Sequence, residues 1–458
     1  MSNKSKKSQL DGQPIYDAKS LGTGKMLLLG LQHTFAMFGA TVLVPILTGL
    51  SVSTTLLMAG LGTLLFHLIT GGKVPAFLGS SFAFLGGYAA VAPMVNGKAD
   101  PTQLAYACGG VFVAGFVYII VAALIKIFGI NRVMKFFPPV VTGPIIIAIG
   151  LILAPSAINN CSTNWPIALV AMVIIIICNI WGKGMIKIIP IMLGIIGSYL
   201  AAFIAGEIDF SSVADAAWIG IPLSSSSFAK FDLNAIITIM PISLATMMEH
   251  IGDISAISAT TGKNYIANPG LHRTLIGDGL ATSFSAFFGG PANTTYGENT
   301  GVLALSKVYD PIVMRIAAGF AILLSFCPKF SALISSVPSA VIGGASLILY
   351  GMISAIGVRN VVENHVDFTK SRNLIIAAVI LVSSLGIEYH SVYNEAGESV
   401  ISSGILFSIG NFDIKLSGLA VAAIAGILLN AILPGKDYVF SAEEETVTDS
   451  DGEDAEQV

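Results

Sequence analysis

Apolar residues run along this chain in blocks of about 20, the length needed to cross the hydrocarbon core of a bilayer. Twelve such blocks fall at 25–48, 52–70, 104–128, 137–157, 165–182, 186–206, 234–258, 271–288, 311–328, 332–352, 373–389 and 415–434. Two shorter pieces interrupted by Gly and Pro, 74–95 and 291–308, raise the expected number of spans to fourteen. The second contains the most polar interruption of the pattern, residues 289–301, which read GGPANTTYGENTG. That stretch is too rich in helix breakers for an ordinary spanning helix, yet apolar segments flank it closely on both sides. Irregular backbone at membrane depth is tolerated only where protein or a water-filled cavity covers it. The stretch is therefore a candidate binding site.

Composition agrees with this pattern, with 54% hydrophobic residues, 11% charged residues and a mean hydropathy of +0.81. A soluble domain carries about 25% charged residues, so a polytopic membrane protein is expected. Residues 1–24 carry Lys4, Lys6, Lys7 and Lys19 without a leading apolar core, and read as a cytosolic tail rather than a signal peptide. The net charge of -4 hides an asymmetry. From Lys436 onward nine acidic residues face one Lys, a balance of -8, which leaves +4 for the rest. That composition predicts a disordered, solvated acidic tail over 436–458. Cys108, Cys161, Cys178 and Cys327 have no metal-like spacing and read as small core residues.

Charge also orders the spans. With a cytosolic amino terminus, fourteen crossings place Lys73, Lys126, Arg132, Lys135, Lys183, Lys187, Lys263, Arg273, Lys307, Arg359, Lys370, Arg372 and Lys436 inside. The opposite loops are nearly free of positive charge: 157–164 and 388–413 have no Lys or Arg, and 207–232 has one Lys. This is the positive-inside pattern, with both termini cytosolic. Seven spans per half is an odd number, so two related halves would be inverted with respect to each other. Gly71-Gly72-Lys73-Val74-Pro75-Ala76 leads to Ser80-Ser81-Phe82, as Gly289-Gly290-Pro291-Ala292 leads to Thr294-Thr295-Tyr296. Pro75 and Pro291 are 216 positions apart, and the same offset carries His33 onto Glu249.

An ionisable residue within a span costs about 2.5–3.5 kcal/mol on insertion scales and by default marks function. Glu249 and Asp253 lie four residues apart, on one face of the eighth span. Glu298 lies in the central stretch. A carboxyl group that can give up its charge at membrane depth is a candidate proton carrier, and Glu249 is the first choice; a structural pairing with a nearby hydroxyl is the alternative. Glu298 is expected first to orient a ligand. His250, about 100° round the helix from Glu249, is expected to face elsewhere in a structural or interfacial role. Asp278 is expected to pair locally, and Arg273 to anchor at the cytosolic interface. Backbone N–H groups around Ser81 and Phe82, and around Tyr296 and Gly297, are candidate donors to ligand carbonyls, with carboxylates accepting from ligand N–H groups. A small planar molecule with alternating N–H and C=O fits, and Phe82 and Tyr296 are candidates to sandwich its ring. There is no GxxxxGK[ST] loop and no CxxC, HExxH or Ser/His/Asp pattern, which argues against an ATP-driven pump and against an enzyme.

The segments Glu249-His250-Ile251-Gly252-Asp253, Pro269-Gly270-Leu271-His272-Arg273 and Asn293-Thr294-Thr295-Tyr296-Gly297-Glu298-Asn299 resemble the nucleobase/ascorbate transporter family, in particular its bacterial uracil permease branch. Further likeness lies in Gln32-His33, in Phe35 to Pro45 and in Gly79-Ser80-Ser81-Phe82-Ala83-Phe84, so the resemblance covers nearly the whole chain. It implies an all-α polytopic membrane protein with fourteen segments in two inverted seven-segment repeats, and short strands in segments 3 and 10. The implied division is a core domain over 25–128 and 234–330 and a gate domain over 129–233 and 331–435. The implied activity is proton-driven uracil uptake across the bacterial inner membrane by alternating access, with xanthine or another purine nucleobase as the alternative substrate. Protons are the coupling ion and no other cofactor is implied. Partners are the nucleobase, membrane lipid and a second copy in a homodimer, and no nucleic acid. Carried over by motif, Glu249 binds the base and couples protons, Glu298 holds or orients the ligand, Phe82 and Gly297 offer backbone N–H groups, and Tyr296 lines the pocket. Asp253 and His33 are further proton-coupling candidates. Asp253 stands where some uracil permeases carry His, which leaves substrate identity less constrained than family.

Overall fold

A computed structural model describes residues 13–94, 98–393, 399–401, 404–409, 412–435 and 438, and it is almost entirely helical. The first half runs α1 (Thr23–Thr48), α2 (Val52–Ile69), strand β1 (Leu78–Ser80), α3 (Leu85–Val91), α4 (Pro101–Phe128) and α5 (Ile130–Met134). It continues through α6 (Pro139–Ser162), α7 (Trp165–Trp181), α8 (Met185–Ile188), α9 (Pro190–Ile204) and α10 (Ser211–Asp215). The second half begins with α11 (Leu233–Ile239), α12 (Ile242–Thr261), α13 (Leu271–Phe287), strand β2 (Asn293–Thr295), α14 (Gly297–Ser306), α15 (Ile312–Ser325) and α16 (Pro328–Ser335). It ends with α17 (Ser339–Glu363), α18 (Ser371–Glu388), strands β3 (Ser391–Tyr393), β4 (Ser399–Ile401), β5 (Ile405–Ile409) and β6 (Phe412–Leu416), and α19 (Gly418–Ile432).

Local chemistry sets these limits. Asp100 caps α4 by accepting from the amides of Thr102 and Gln103 at 2.9 Å, and Pro101 occupies the first helical position, where its missing N–H costs nothing. Ser51, Asn164 and Ser417 cap α2, α7 and α19 in the same way. Among the described residues seven helices are long and apolar enough to cross a membrane, or eight if the bent pair α15–α16 counts as one span. Apolar side chains such as Ile120, Ile127, Ile180, Leu200 and Val382 stand exposed along α4, α7, α9 and α18, an outer surface suited to lipid rather than water. The chain is a multi-pass membrane protein.

The helices pack in two groups. In one, α2 lies against α13 and α15, α4 runs along α13, and α1 packs on α15. In the other, α17 lies between α6 and α7, α7 packs on α9, and α18 packs on α6 and α19. Small residues permit the close crossings: a Cβ on Gly115 of α4 would stand 2.4 Å from the carbonyl oxygen of Gly279 of α13.

The eighth span is present as one apolar stretch, Leu233–Thr261, with a turn at Met240–Pro241 between α11 and α12. The boundaries expected after 311 are corrected. The apolar run after 311 bends by 87° between α15 and α16, so its helix ends at Ser335, and the next helix begins at Ser339 rather than 332 and reaches Glu363 rather than 352. Hydropathy reports how apolar a segment is, not its direction, and here Pro328 and Pro338 set the breaks. Over its described part the amino-terminal segment docks on the helices. Tyr16 donates to the Thr261 carbonyl at 2.7 Å, the Ala18 amide donates to Asp310 at 2.9 Å, and Ala18 is buried with Val308 and Val313. The acidic tail lies outside the described residues, apart from residue 438.

Candidate functional site

Strands β1 and β2 meet antiparallel among the helices, with Leu78 opposite Thr295, Gly79 opposite Thr294 and Ser80 opposite Asn293. Each is held by a threonine from a neighbouring helix. The Thr63 hydroxyl of α2 takes both the N–H (2.9 Å) and the C=O (3.2 Å) of Leu78, and Thr282 of α13 takes both the N–H (3.2 Å) and the C=O (2.9 Å) of Asn293. The segments cross where only glycine fits, since a Cβ on Gly79 would lie 2.4 Å from Cζ of Tyr296. Tyr296 is buried, and its hydroxyl donates to the Ser80 carbonyl at 2.9 Å, beside Thr41 Oγ1 at 3.3 Å. It braces the strand pair.

Beyond each strand the chain turns into a short helix, α3 in one half and α14 in the other. The amide of Ser81 is spent on the Ala292 carbonyl (2.8 Å) and that of Tyr296 on the Phe77 carbonyl (3.1 Å). Neither is the free donor expected of it. Among the described residues no acceptor takes the N–H of Phe82 or Gly297, so the open donors are those two. Gly297 is exposed and opens α14 with no side-chain cap on its first turn, and orphan N–H groups of this kind receive acceptor atoms of a ligand. The Ser81 hydroxyl is buried without a partner.

The acids come from α12 and α14. Glu249 and Asp253 are each partly exposed one turn apart on α12, and Glu298 is partly exposed in the first turn of α14. Neither Glu249 nor Glu298 hydrogen-bonds or ion-pairs with another described residue, and the two carboxyl groups lie within electrostatic reach of each other. The Glu298 carboxyl accepts from its own backbone N–H, and both acids keep lone pairs able to accept from N–H groups or take up a proton. Asp253 is already engaged, since Thr295 Oγ1 donates to its Oδ2 at 2.8 Å. Glu298 lines a cavity of about 250 Å³ bounded by Phe35 and Gly39 of α1, Lys187 of α8, Pro190 of α9 and Met352 of α17. That cavity lies between the two helix groups.

Not every expected residue joins this cluster. His33 is fully buried on α1, with Nδ1 3.2 Å from the Asn299 amide nitrogen, which also donates to the His33 carbonyl at 3.1 Å. It braces α14 one residue beyond Glu298. Phe82 is buried edge-on to Tyr350 of α17, ring centroids 6.1 Å apart, so it packs across the divide between the groups. Tyr296, held at its hydroxyl, does not share that placement. His250 does face away from Glu249, as expected, into a fully buried position 3.2 Å from Asp278 Oδ2. Asp278 therefore pairs with another helix and not locally. Sequence reasoning missed Tyr350, an aromatic in an apolar span with nothing to distinguish it, and the contact of Thr295 with Asp253. The repeated hydroxyls of the NTT strand were the available signal. Among the described residues no group of His, Cys, Asp and Glu has the makings of a metal site.

Paired half-elements enclosed by two groups of spanning helices define a multi-pass membrane transporter. The fold resembles the transmembrane domain of a cyanobacterial bicarbonate transporter, BicA, at a TM-score of 0.59 and 15% identity, over 91% of this chain and 99% of that one. Residues 24–392 match the permease family. The chain belongs to it, and within it to the nucleobase/ascorbate transporters; it is a transporter and not an enzyme. It is 42% identical to the uracil permease of Bacillus caldolyticus over 93% of this chain and 96% of that protein. It is also 42% identical to the uracil permease of Bacillus subtilis (strain 168) over 88% and 91%.

Proposed function

We propose that this protein takes up uracil with protons across a bacterial cytoplasmic membrane by alternating access. The observation that carries the reading is that Glu249 and Glu298, two carboxyls bonded to no other described residue, lie within electrostatic reach of each other, with Glu298 next to the open amide of Gly297 and the open amide of Phe82 on the paired half-element. A pyrimidine with alternating N–H and C=O gives its N–H groups to the acids and accepts from the amides. Similarity to relatives named uracil permease supports the same substrate over a purine. Glu249, beside a ligand and free of other bonds, is the proton carrier in this reading. Glu298 and the amides hold the base, Asp253 shapes the site, and His33 supports Glu298 through Asn299.

The helix group containing α1, α2, α4 and α13 is the core of the proposed mechanism and the group containing α6, α7 and α17 its gate, so the core moves against the gate while carrying the site. Matching anchors on β1 and β2 support two inverted repeats. A fourteen-segment count with cytosolic termini is supported by which loops touch. Tyr16 meets Thr261, Lys73 Nζ meets Asn268 at 2.7 Å, and Asn430 meets the Lys135 carbonyl at 2.8 Å, all at ends expected inside. Asn164 meets Glu207 at 2.5 Å and the Lys230 amide meets Ala105 at 2.9 Å, at ends expected outside. A homodimer belongs to the same reading. Uptake of radiolabelled uracil in cells lacking their own permease tests the function. Accumulation abolished by an uncoupler is expected, whereas flux indifferent to the uncoupler contradicts coupling, and xanthine that competes better than unlabelled uracil contradicts the substrate.

A further inference from the structure

Behind Asp253 lies a buried polar chain that the proposed transport cycle does not use. Thr295 Oγ1 donates to Asp253 Oδ2 at 2.8 Å and stands 3.4 Å from His250 Nδ1, which is itself 3.2 Å from Asp278 Oδ2. His250 and Asp278 are both 0% exposed, so neither touches a ligand. Since Thr295 spends its single proton on Asp253, its oxygen can only accept from His250. That places a proton of His250 on Nδ1, where it is shared between Thr295 Oγ1 and the nearer Asp278 Oδ2. The ring is packed edge-on against Phe66 of α2, centroids 6.2 Å apart, which fixes its plane. The chain thus runs from α13 through α12 to β2 and returns to α12 at the ligand site, where Asp253 Oδ1 lies 3.8 Å from the position a Cβ on Gly297 would take.

We infer that His250 and Asp278 are positioning residues: acting through the Thr295 hydroxyl, they aim the Asp253 carboxylate at the ligand beside Gly297. The logic is that of a carboxylate orienting a histidine whose direction then sets the next group. A buried acid with a single histidine beside it is a poor way to gain stability, whereas fixing a hydroxyl's direction needs such an arrangement. The inference rests on uracil as the ligand.

The test is uracil uptake by the full-length protein in liposomes under an inward proton gradient, with KM and maximal rate measured per folded protein, and the shift of the thermal midpoint by uracil measured alongside. Thr295→Val, which removes the hydroxyl at constant shape, raises KM about tenfold, the equivalent of one hydrogen bond, and changes the maximal rate less than twofold. Thr295→Ser keeps KM within about twofold. His250→Leu raises KM as much as Thr295→Val, and the double variant is no worse than either alone. Should His250→Leu fail to fold because Asp278 is stranded, His250→Leu combined with Asp278→Leu removes both polar partners and is read in its place. An unchanged KM in Thr295→Val, or additive effects in the double variant, overturns the positioning role. If uracil neither enters nor shifts the midpoint of the unmutated protein, the substrate reading falls instead.

Discussion

The two half-elements at the centre of the molecule share a backbone and differ in chemistry. β1 and β2 pair residue for residue, each anchored by one threonine, and each leads into a short helix. The first half contributes no charge: Ser81, Phe82 and Ala83 are buried, and Phe82 packs on Tyr350. The second half carries Glu298 in its first turn. The same division holds for the long helices beside them. His33 on α1 is consumed by Asn299, while Glu249, 216 positions on, has open oxygens on α12. In the proposed mechanism one half therefore serves as a wall with a donor, and the other bears the acids that meet a proton and a base. Charge within the membrane is costly wherever it sits, and Glu249, Asp253 and Glu298 all come from two neighbouring helices of the second half, α12 and α14.

The comparison breaks first at Glu249. Glu249→Gln, which keeps the shape but cannot carry a proton, is expected to abolish gradient-driven accumulation, whereas His33→Asn, which retains an acceptor for Asn299, loses no more than a fewfold in uptake rate. Equal damage from both would erase the distinction between the halves. Glu298→Gln removes a charge-assisted hydrogen bond to the ligand worth about 1.5–3 kcal/mol, so KM for uracil should rise roughly 10- to 100-fold, as read in initial-rate uptake. Gly79→Ala places a methyl group against the Tyr296 ring and is expected to cost about 1–3 kcal/mol by overpacking, visible as a lower thermal midpoint and a loss of uracil protection. The smallest effect belongs to Tyr296→Phe, which frees the Ser80 carbonyl and should cost about 1 kcal/mol of stability with little change in KM, because the ring remains.

Much of this was legible from the chain because membrane depth leaves few options. Blocks of about 20 apolar residues had to become helices, and GGPANTTYGENTG, unable to be one, had to lie inside the protein. The acids stood out for the same reason: in an apolar span a carboxylate has no cheap role. Other features left no such mark. The bend between α15 and α16 lies in a continuous apolar run, and the docking of Tyr16 on Thr261 joins residues 245 apart through a contact that no local pattern encodes. The open donors could be placed only to within a residue. Whether Ser81 or Phe82, and Tyr296 or Gly297, retains a free N–H depends on strand register, which sets the partner of every second amide. His250 and Asp278 were visible as intramembrane charges, but their pairing across two helices follows from how α12 packs against α13.

The central claim is that Glu249, on the acidic half of the site, couples proton entry to uracil entry, and accumulation of radiolabelled uracil in liposomes after an imposed pH step tests it most directly. The unmutated protein should concentrate uracil inside when the exterior is made acidic and lose that accumulation with an uncoupler, and Glu249→Gln should show none while still folding. Accumulation by Glu249→Gln equal to that of the unmutated protein would contradict the claim and move the proton to another group.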